Sequence, residues 1–243
     1  MDAAQTIRHA VAEVSQLRQA CLIQPALSNA VGEVKRFQSR RFAGTYADLL
    51  QGGPYQAAAG FFLDELYSDK DYAERDAQFS RIAGAMQRLF PTQVVATAVA
   101  LAQLHALTEQ LDHAMGQAWL ADANTSASMA ARYIGAWRTV ARRAERESQL
   151  SVVLGIGREL DRLTRTPGLR LMLKMMRGPA SAGGLGSLQR FLEAGFDTFA
   201  GMRDAAAFLR TIEGREAALI ERLFDAPFVA CETELQQTLG QAR

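Results

Sequence analysis

His105, Glu109, Asp112 and His113 fall at intervals of three and four within Leu104-His105-Ala106-Leu107-Thr108-Glu109-Gln110-Leu111-Asp112-His113. On a helix that spacing puts His105, Glu109 and either Asp112 or His113 on one face. Helical bundles hold metal ions with inward carboxylates and imidazoles on facing helices. Glu65, in a second helical stretch, completes a set of Glu65, His105, Glu109 and His113 if the two helices cross. Such a set would serve metal-dependent oxidation or oxygenation. The spacing itself argues the other way. The Glu-x-x-His ligand pattern is absent, Glu109 and His113 being four apart, and no second helix repeats the motif. A polar network or a wetted helix face is the simpler expectation, with no metal and no other cofactor.

Other constellations are weaker. Gly178 and Gly183 have the spacing of a phosphate loop, with Lys174 and Arg177 before them and a helix after, where amides could meet an anion. Gly184 and Leu185 stand where that loop requires Lys and a hydroxyl residue. The Gly178 to Gly186 segment is therefore expected to be an inter-helix connection. Gly155-x-Gly157 lies inside a helical pattern with no strand before it and no third glycine, so it is no dinucleotide fingerprint. Asp69, Asp71, Glu74 and Asp76 suggest a calcium loop, but Glu74 replaces its glycine and Ser80 its final glutamate. No Ser or Cys sits in a recognised nucleophile motif. Arg132, Arg138, Arg142, Arg143, Arg146, Arg158, Arg162 and Arg165 interleave with Tyr133 and Trp137, as a nucleic-acid or anionic-lipid face would. Glu145, Glu147, Glu159 and Asp161 interrupt that run and point to internal ion pairs instead, so no nucleic-acid partner is expected.

The densest aromatic cluster is Phe61-Phe62-Leu63-Asp64-Glu65-Leu66-Tyr67. Its apolar residues cover well over half of a helix circumference, which predicts a central helix. Asp64 and Glu65 cannot both reach solvent from such a helix, so one of them should meet a basic partner, with Arg75 the nearest candidate. This heptapeptide, with RRFAGTYADLL (40 to 50) before it, SDKDYAERDAQFSRI (68 to 82) after it and MMRGPASAGGLGSLQRFLEAGFDTF (175 to 199) further on, resembles a family of uncharacterised bacterial proteins named for an FFLEELY motif. Asp64 stands here in place of Glu. The resemblance runs from about 40 to 225 and implies no activity.

Periodicity predicts the helices that must position these groups. Asp2 to Ile23 and Ala26 to Leu50 form an N-terminal pair, the second carrying the basic residues Lys35-Arg36 and Arg40-Arg41, read as a solvated face. The heptapeptide helix follows Gly52-Gly53-Pro54. Asp71 to Phe90 is next, with Asp71 and Glu74 as a capping box. A long helix runs from Pro91 to about Ala121. Asn124-Thr125-Ser126 should cap another to about Ser148, and Gln149 to Thr164 should make the next. A short helix after Thr166-Pro167 ends at Arg177, a strongly apolar one carries Leu188 to Phe199, and Asp204 to Leu223 is the tenth. Nothing alternates as a strand would. The expected fold is all-α, a single bundle-like domain of about ten helices over 1–243, with the pair at 1–50 packed on a core at 51–225.

The 243 residues are 49% hydrophobic, enough for a sizeable core. A formal net charge of +1 gives no global pull toward nucleic acid or membrane. Locally, seven acids lie between 47 and 76 and eleven basic residues between 132 and 177. Only three basic residues are lysines, a coding bias of GC-rich bacterial genomes. Cys21 and Cys231 have no metal-type spacing and read as reduced thiols. The apolar stretch from Val94 to Leu107 is too short and too interrupted to span a bilayer. These features lead to a cytoplasmic helical binding or protein-interaction module without catalysis, acting through a protein partner or as a homodimer. The metal-dependent bundle enzyme is the alternative.

Overall fold

The computed structural model describes residues 2–68, 70–122 and 126–242. These form thirteen helices and no strand: α1 (Ala3–Ile23), α2 (Pro25–Thr45), α3 (Ala47–Leu50), α4 (Gln56–Glu65), α5 (Ala73–Leu89), α6 (Thr92–Ala121), α7 (Met129–Val140), α8 (Arg143–Thr164), α9 (Leu169–Met175), α10 (Arg177–Ala182), α11 (Gly186–Gly201), α12 (Ala205–Asp225) and α13 (Phe228–Gln241).

The 30-residue α6 is the spine, roughly 45 Å long at 1.5 Å per residue. It packs against α1, α2 and α5 and against α7 and α8. By length and composition alone α6 could cross a membrane. Its small residues Ala98, Ala102 and Ala106 bring α1 and α5 close, burying Ile7, Val14, Ala83 and Met86. A second cluster joins Val34 and Phe37 of α2 to Met115, Tyr133, Ile134, Trp137 and Leu223. A third holds Phe42, Tyr46, Phe62, Leu154, Phe199, Phe208 and Ile212. The N-terminal pair is thus built into the core: α2 buries Leu27, Val34, Phe37 and Phe42, and at Gly44 an added Cβ would strike the Thr238 backbone on α13.

Local chemistry departs from the sequence expectation in four places. The predicted helix to Ser148 breaks at Ala141, which adopts the left-handed conformation at φ 53° and separates α7 from α8. No glycine or proline announces that break. The cap of α7 is Ser128, whose Oγ accepts from the Ala131 amide at 3.0 Å; of the expected cap, 124 and 125 lie outside the described residues. The Asp71–Glu74 capping box does not form, because Asp71 accepts from Ala73 and Glu74 accepts from the Gln78 side chain. Much of the Gly178 to Gly186 segment is helical, in α10, leaving a tight turn in which Gly184 takes φ 64°.

The basic residues of α2 also divide. Arg36 and Arg40 are exposed, but Lys35 and Arg41 turn inward. They share a face with Val34, Phe37 and Gln38, and buried carboxylates await them on α6 and α12.

Candidate functional site

α5, α6 and α8, with α11 beside them, line a partly open cavity of about 270 Å³. Its lining changes character in the same direction on all three helices. On α6 it passes from Val94, Ala98 and Leu101 to His105, Glu109 and Asp112; on α8 from Leu160 and Val153 to Arg146; on α5 from Met86, Ile82 and Phe79 to Asp76 and Arg75. The helices run so that the polar ends coincide. Gln149 donates to Thr108 Oγ at 2.7 Å, tying α8 to α6, and the His105 Nε2 and Asp76 Oδ2 atoms lie 3.0 Å apart, tying α6 to α5. The cavity therefore has an apolar end and a charged end. Over the apolar end lies α9, which has no buried residue of its own while Leu169, Met172 and Leu173 line the space beneath it.

At the charged end nearly every ion has its counter-ion, as burial demands. Arg18 donates to Asp76 at 2.7 Å and Lys35 to Glu109 at 2.6 Å. Arg75 donates to Glu65 at 2.9 Å while its guanidinium lies 3.8 Å over the Tyr72 ring. Arg41 of α2 reaches Glu216 of α12 at 2.5 Å, and the Tyr46 and Tyr67 hydroxyls donate to the same carboxylate at 3.0 and 3.5 Å. Burial alone would push the Asp76 carboxyl up; its hydrogen bonds and charge pairing with His105 and Arg18 outweigh that and hold it below the usual carboxylate range.

Two buried ionisable side chains have no ion-pair partner among the described residues. Asp112 accepts an amide hydrogen bond from Gln38 at 2.9 Å, and burial pushes its carboxyl up despite the charges of Lys35 and Arg146. Arg146 is 6% exposed and, among the described residues, has no carboxylate within ion-pair distance. Its guanidinium stacks 4.2 Å over the Trp137 ring, Nη1 donates to Gln149 at 3.3 Å, and Nη2 has no hydrogen-bond partner. Beside it, burial pushes the Tyr133 hydroxyl up to about 12, which keeps it a proton donor.

Of the expected ligand set, Glu65, His105 and Glu109 line the cavity, each engaged by a different partner. His113 faces away from the cavity, with Nδ1 3.7 Å from Cys21 Sγ and Nε2 3.2 Å from the Gln117 amide nitrogen. Among the described residues no three His, Cys, Asp or Glu side chains converge as metal ligands would. The Cys21–His113 contact is no activated thiolate, since burial raises the thiol. In the aromatic motif Phe61 stacks on Phe191 at 6.0 Å, Phe62 meets Phe208, and Tyr67 stacks on Phe42 at 4.4 Å, with Leu63 and Leu66 packed around them. Asp64 is exposed beside Lys70, and Glu65 takes the basic partner anticipated for it, Arg75. Arg177 forks onto Glu193 at 2.6 to 2.9 Å, so it is not held for an anion at the glycine turn.

Sequence reasoning missed Arg146, Tyr133 and Glu216 as site residues. Arg146 stood within a basic run four of whose other members pair with acids, Arg142 with Glu145, Arg143 with Asp225, Arg162 with Glu159 and Arg165 with Asp161. What distinguishes it is the apolar stripe that follows at helical spacing: Leu150, Val153 and Leu160.

Asp76→Asn should lower stability by about 2–3 kcal/mol at neutral pH, because one buried carboxylate serves both Arg18 and His105. The native carboxyl is depressed, so its contribution is complete above the ordinary aspartate range and fades as pH falls through the lower folded value. Urea midpoints measured down the acid range should therefore converge for the two proteins. A constant gap would mean the carboxylate charge contributes nothing.

A family model described as "Domain of unknown function (DUF8198)" matches residues 17–228, and the chain belongs to that family. No curated protein and no solved structure matches the chain.

Proposed function

We propose that this member of a family without an assigned activity is a binding protein, with no catalysis of its own, that encloses a small and largely apolar molecule between α5, α6, α8 and α11. The observation that carries the reading is the partly open cavity of about 270 Å³ between these helices, lined mainly by apolar side chains with a few polar groups at one end, as small-molecule sites are. At ~30 Å³ per water-sized group it accommodates roughly nine such groups. The acid–base side chains around it support binding over catalysis, because each of Glu65, His105 and Glu109 is already held by a structural partner. The basic run from Arg132 to Arg165 gives little support to a nucleic-acid or lipid face, since Arg142, Arg143, Arg162 and Arg165 are paired with acids of the same chain. We further read 61–67 as the family's namesake motif, with Asp64 on the exposed side where a shorter carboxylate changes no buried contact, and we place the protein in the cytoplasm on composition alone.

Two measurements test the cavity reading. Solvent extracts of the purified protein, analysed by mass spectrometry, should release a stoichiometric small molecule. Stripped protein should take up 1-octanol in a calorimetric titration, and Val153→Phe, which fills the lining from α8, should abolish that uptake while leaving the helical circular dichroism unchanged. Octanol uptake unaffected by the filled cavity, or none at all in the stripped wild type, would sink the reading.

A further inference from the structure

We infer that the charged end of this cavity is a carboxylate subsite, in which Arg146 and the Tyr133 hydroxyl receive the head group of a medium-chain carboxylic acid whose tail lies along α8 toward Leu160. The inference rests on the cavity reading above and specifies its ligand.

Arg146 is the reason. A buried guanidinium with no carboxylate partner is costly, and one N–H group left without an acceptor adds to the cost. The other cations that line the cavity are matched: Arg41 by Glu216, Lys35 by Glu109, Arg75 by Glu65. Among the described residues Arg41 and Arg146 are the two buried arginines that line the cavity, and Arg146 is the one with no carboxylate partner and with a terminal nitrogen, Nη2, left without an acceptor. Its stacking over the Trp137 ring and its bond to Gln149 fix the fork, and Gln149 is in turn fixed by Thr108. A guanidinium so oriented matches the planar, two-oxygen geometry of a carboxylate.

The single fork selects a carboxylate: Lys35, Arg41 and Arg75, the other cations lining the space, are each committed to a glutamate, so no second free cation stands there for a phosphate dianion. The tail follows from the face of α8: Leu150, Val153 and Leu160 continue from Arg146 at helical spacing and all line the same space. A cavity of about 270 Å³ suits a chain of roughly eight carbons with its head group, at ~30 Å³ per group.

The test is calorimetric titration of the stripped full chain with octanoate, 1-octanol, octyl phosphate and octylammonium. Octanoate should bind at least about tenfold more tightly than octanol, the worth of a charge-assisted hydrogen bond, and octylammonium more weakly than either. Arg146→Met should remove the preference for octanoate and leave octanol affinity within about twofold, because only the head-group contact is lost. Tyr133→Phe should reduce the same preference in part, and it decides the matter should Arg146→Met fail to fold by circular dichroism. Equal affinity for octanoate and octanol would overturn the anion subsite while leaving the cavity reading intact. Tighter binding of octyl phosphate than octanoate would overturn the carboxylate assignment. Failure of all four to bind would overturn both.

Discussion

Glu216→Ala is expected to destabilise the protein by about 3–5 kcal/mol, the range for removing one partner of a buried ion pair. The substitution leaves Arg41 charged, buried to 4% exposure and without a counter-ion, with its Nε already lacking a hydrogen-bond partner. It also strands the Tyr46 and Tyr67 hydroxyls, which both donate to the lost carboxylate. Arg41 cannot shed its charge even without Glu216, because a guanidinium stays protonated throughout the accessible pH range. The loss should therefore be nearly independent of pH across the neutral range. Removing both charges, in Arg41→Met with Glu216→Leu, should restore more than half of the loss, because two apolar side chains replace a pair whose attraction was offset by desolvation. Urea unfolding of the two single variants and the double variant gives the coupling directly. A single-variant loss below about 1 kcal/mol would mean that water reaches the Arg41 guanidinium and that α2 and α12 are joined by packing alone.

The network explains what the sequence reveals and what it hides. Helical periodicity places apolar faces well, and α1, α5, α6 and α12 lie close to their predicted spans. It also puts His105 and Glu109 on one face of α6, and both line the cavity. It cannot name their partners, because Asp76 and Lys35 come from other helices, 29 and 74 residues away. Lys35, Gln38 and Arg41 recur at three along α2 on the same side as Val34 and Phe37, so an inward polar stripe was present in the pattern. Two neighbouring basic pairs disguised it, since one member of each is exposed. The break at Ala141 was hidden for another reason. A left-handed alanine costs about 1–2 kcal/mol and is held by tertiary contacts, among them the Arg138 guanidinium on the Leu223 and Ala226 carbonyls of the α12 end, rather than by any local signal. That break also starts α8 afresh, and Arg146 stands in its first turn.

Phe62→Ala should cost about 3–5 kcal/mol, the range for deleting a buried aromatic ring from a core that cannot fully collapse around the gap. Phe62 is the buried member of the aromatic heptapeptide, 3% exposed, with its ring edge-on to Phe208 at 5.3 Å. Around it lie Phe42, Tyr46, Phe199 and Ile212, drawn from α2, α11 and α12, so no single helix can shift to close the hole. The ring also borders the cavity, and its removal adds to space that is already open. Phe62→Leu keeps most of the volume and should cost about 1 kcal/mol. Asp64→Ala, two residues along the same motif but exposed, should change stability by no more than about 0.5 kcal/mol. Chemical denaturation midpoints for the three variants rank the motif's residues by burial rather than by chemical type. If Phe62→Ala unfolds at the wild-type midpoint, the aromatic cluster does not hold α4 to the core, and the motif would have to be read as a surface instead.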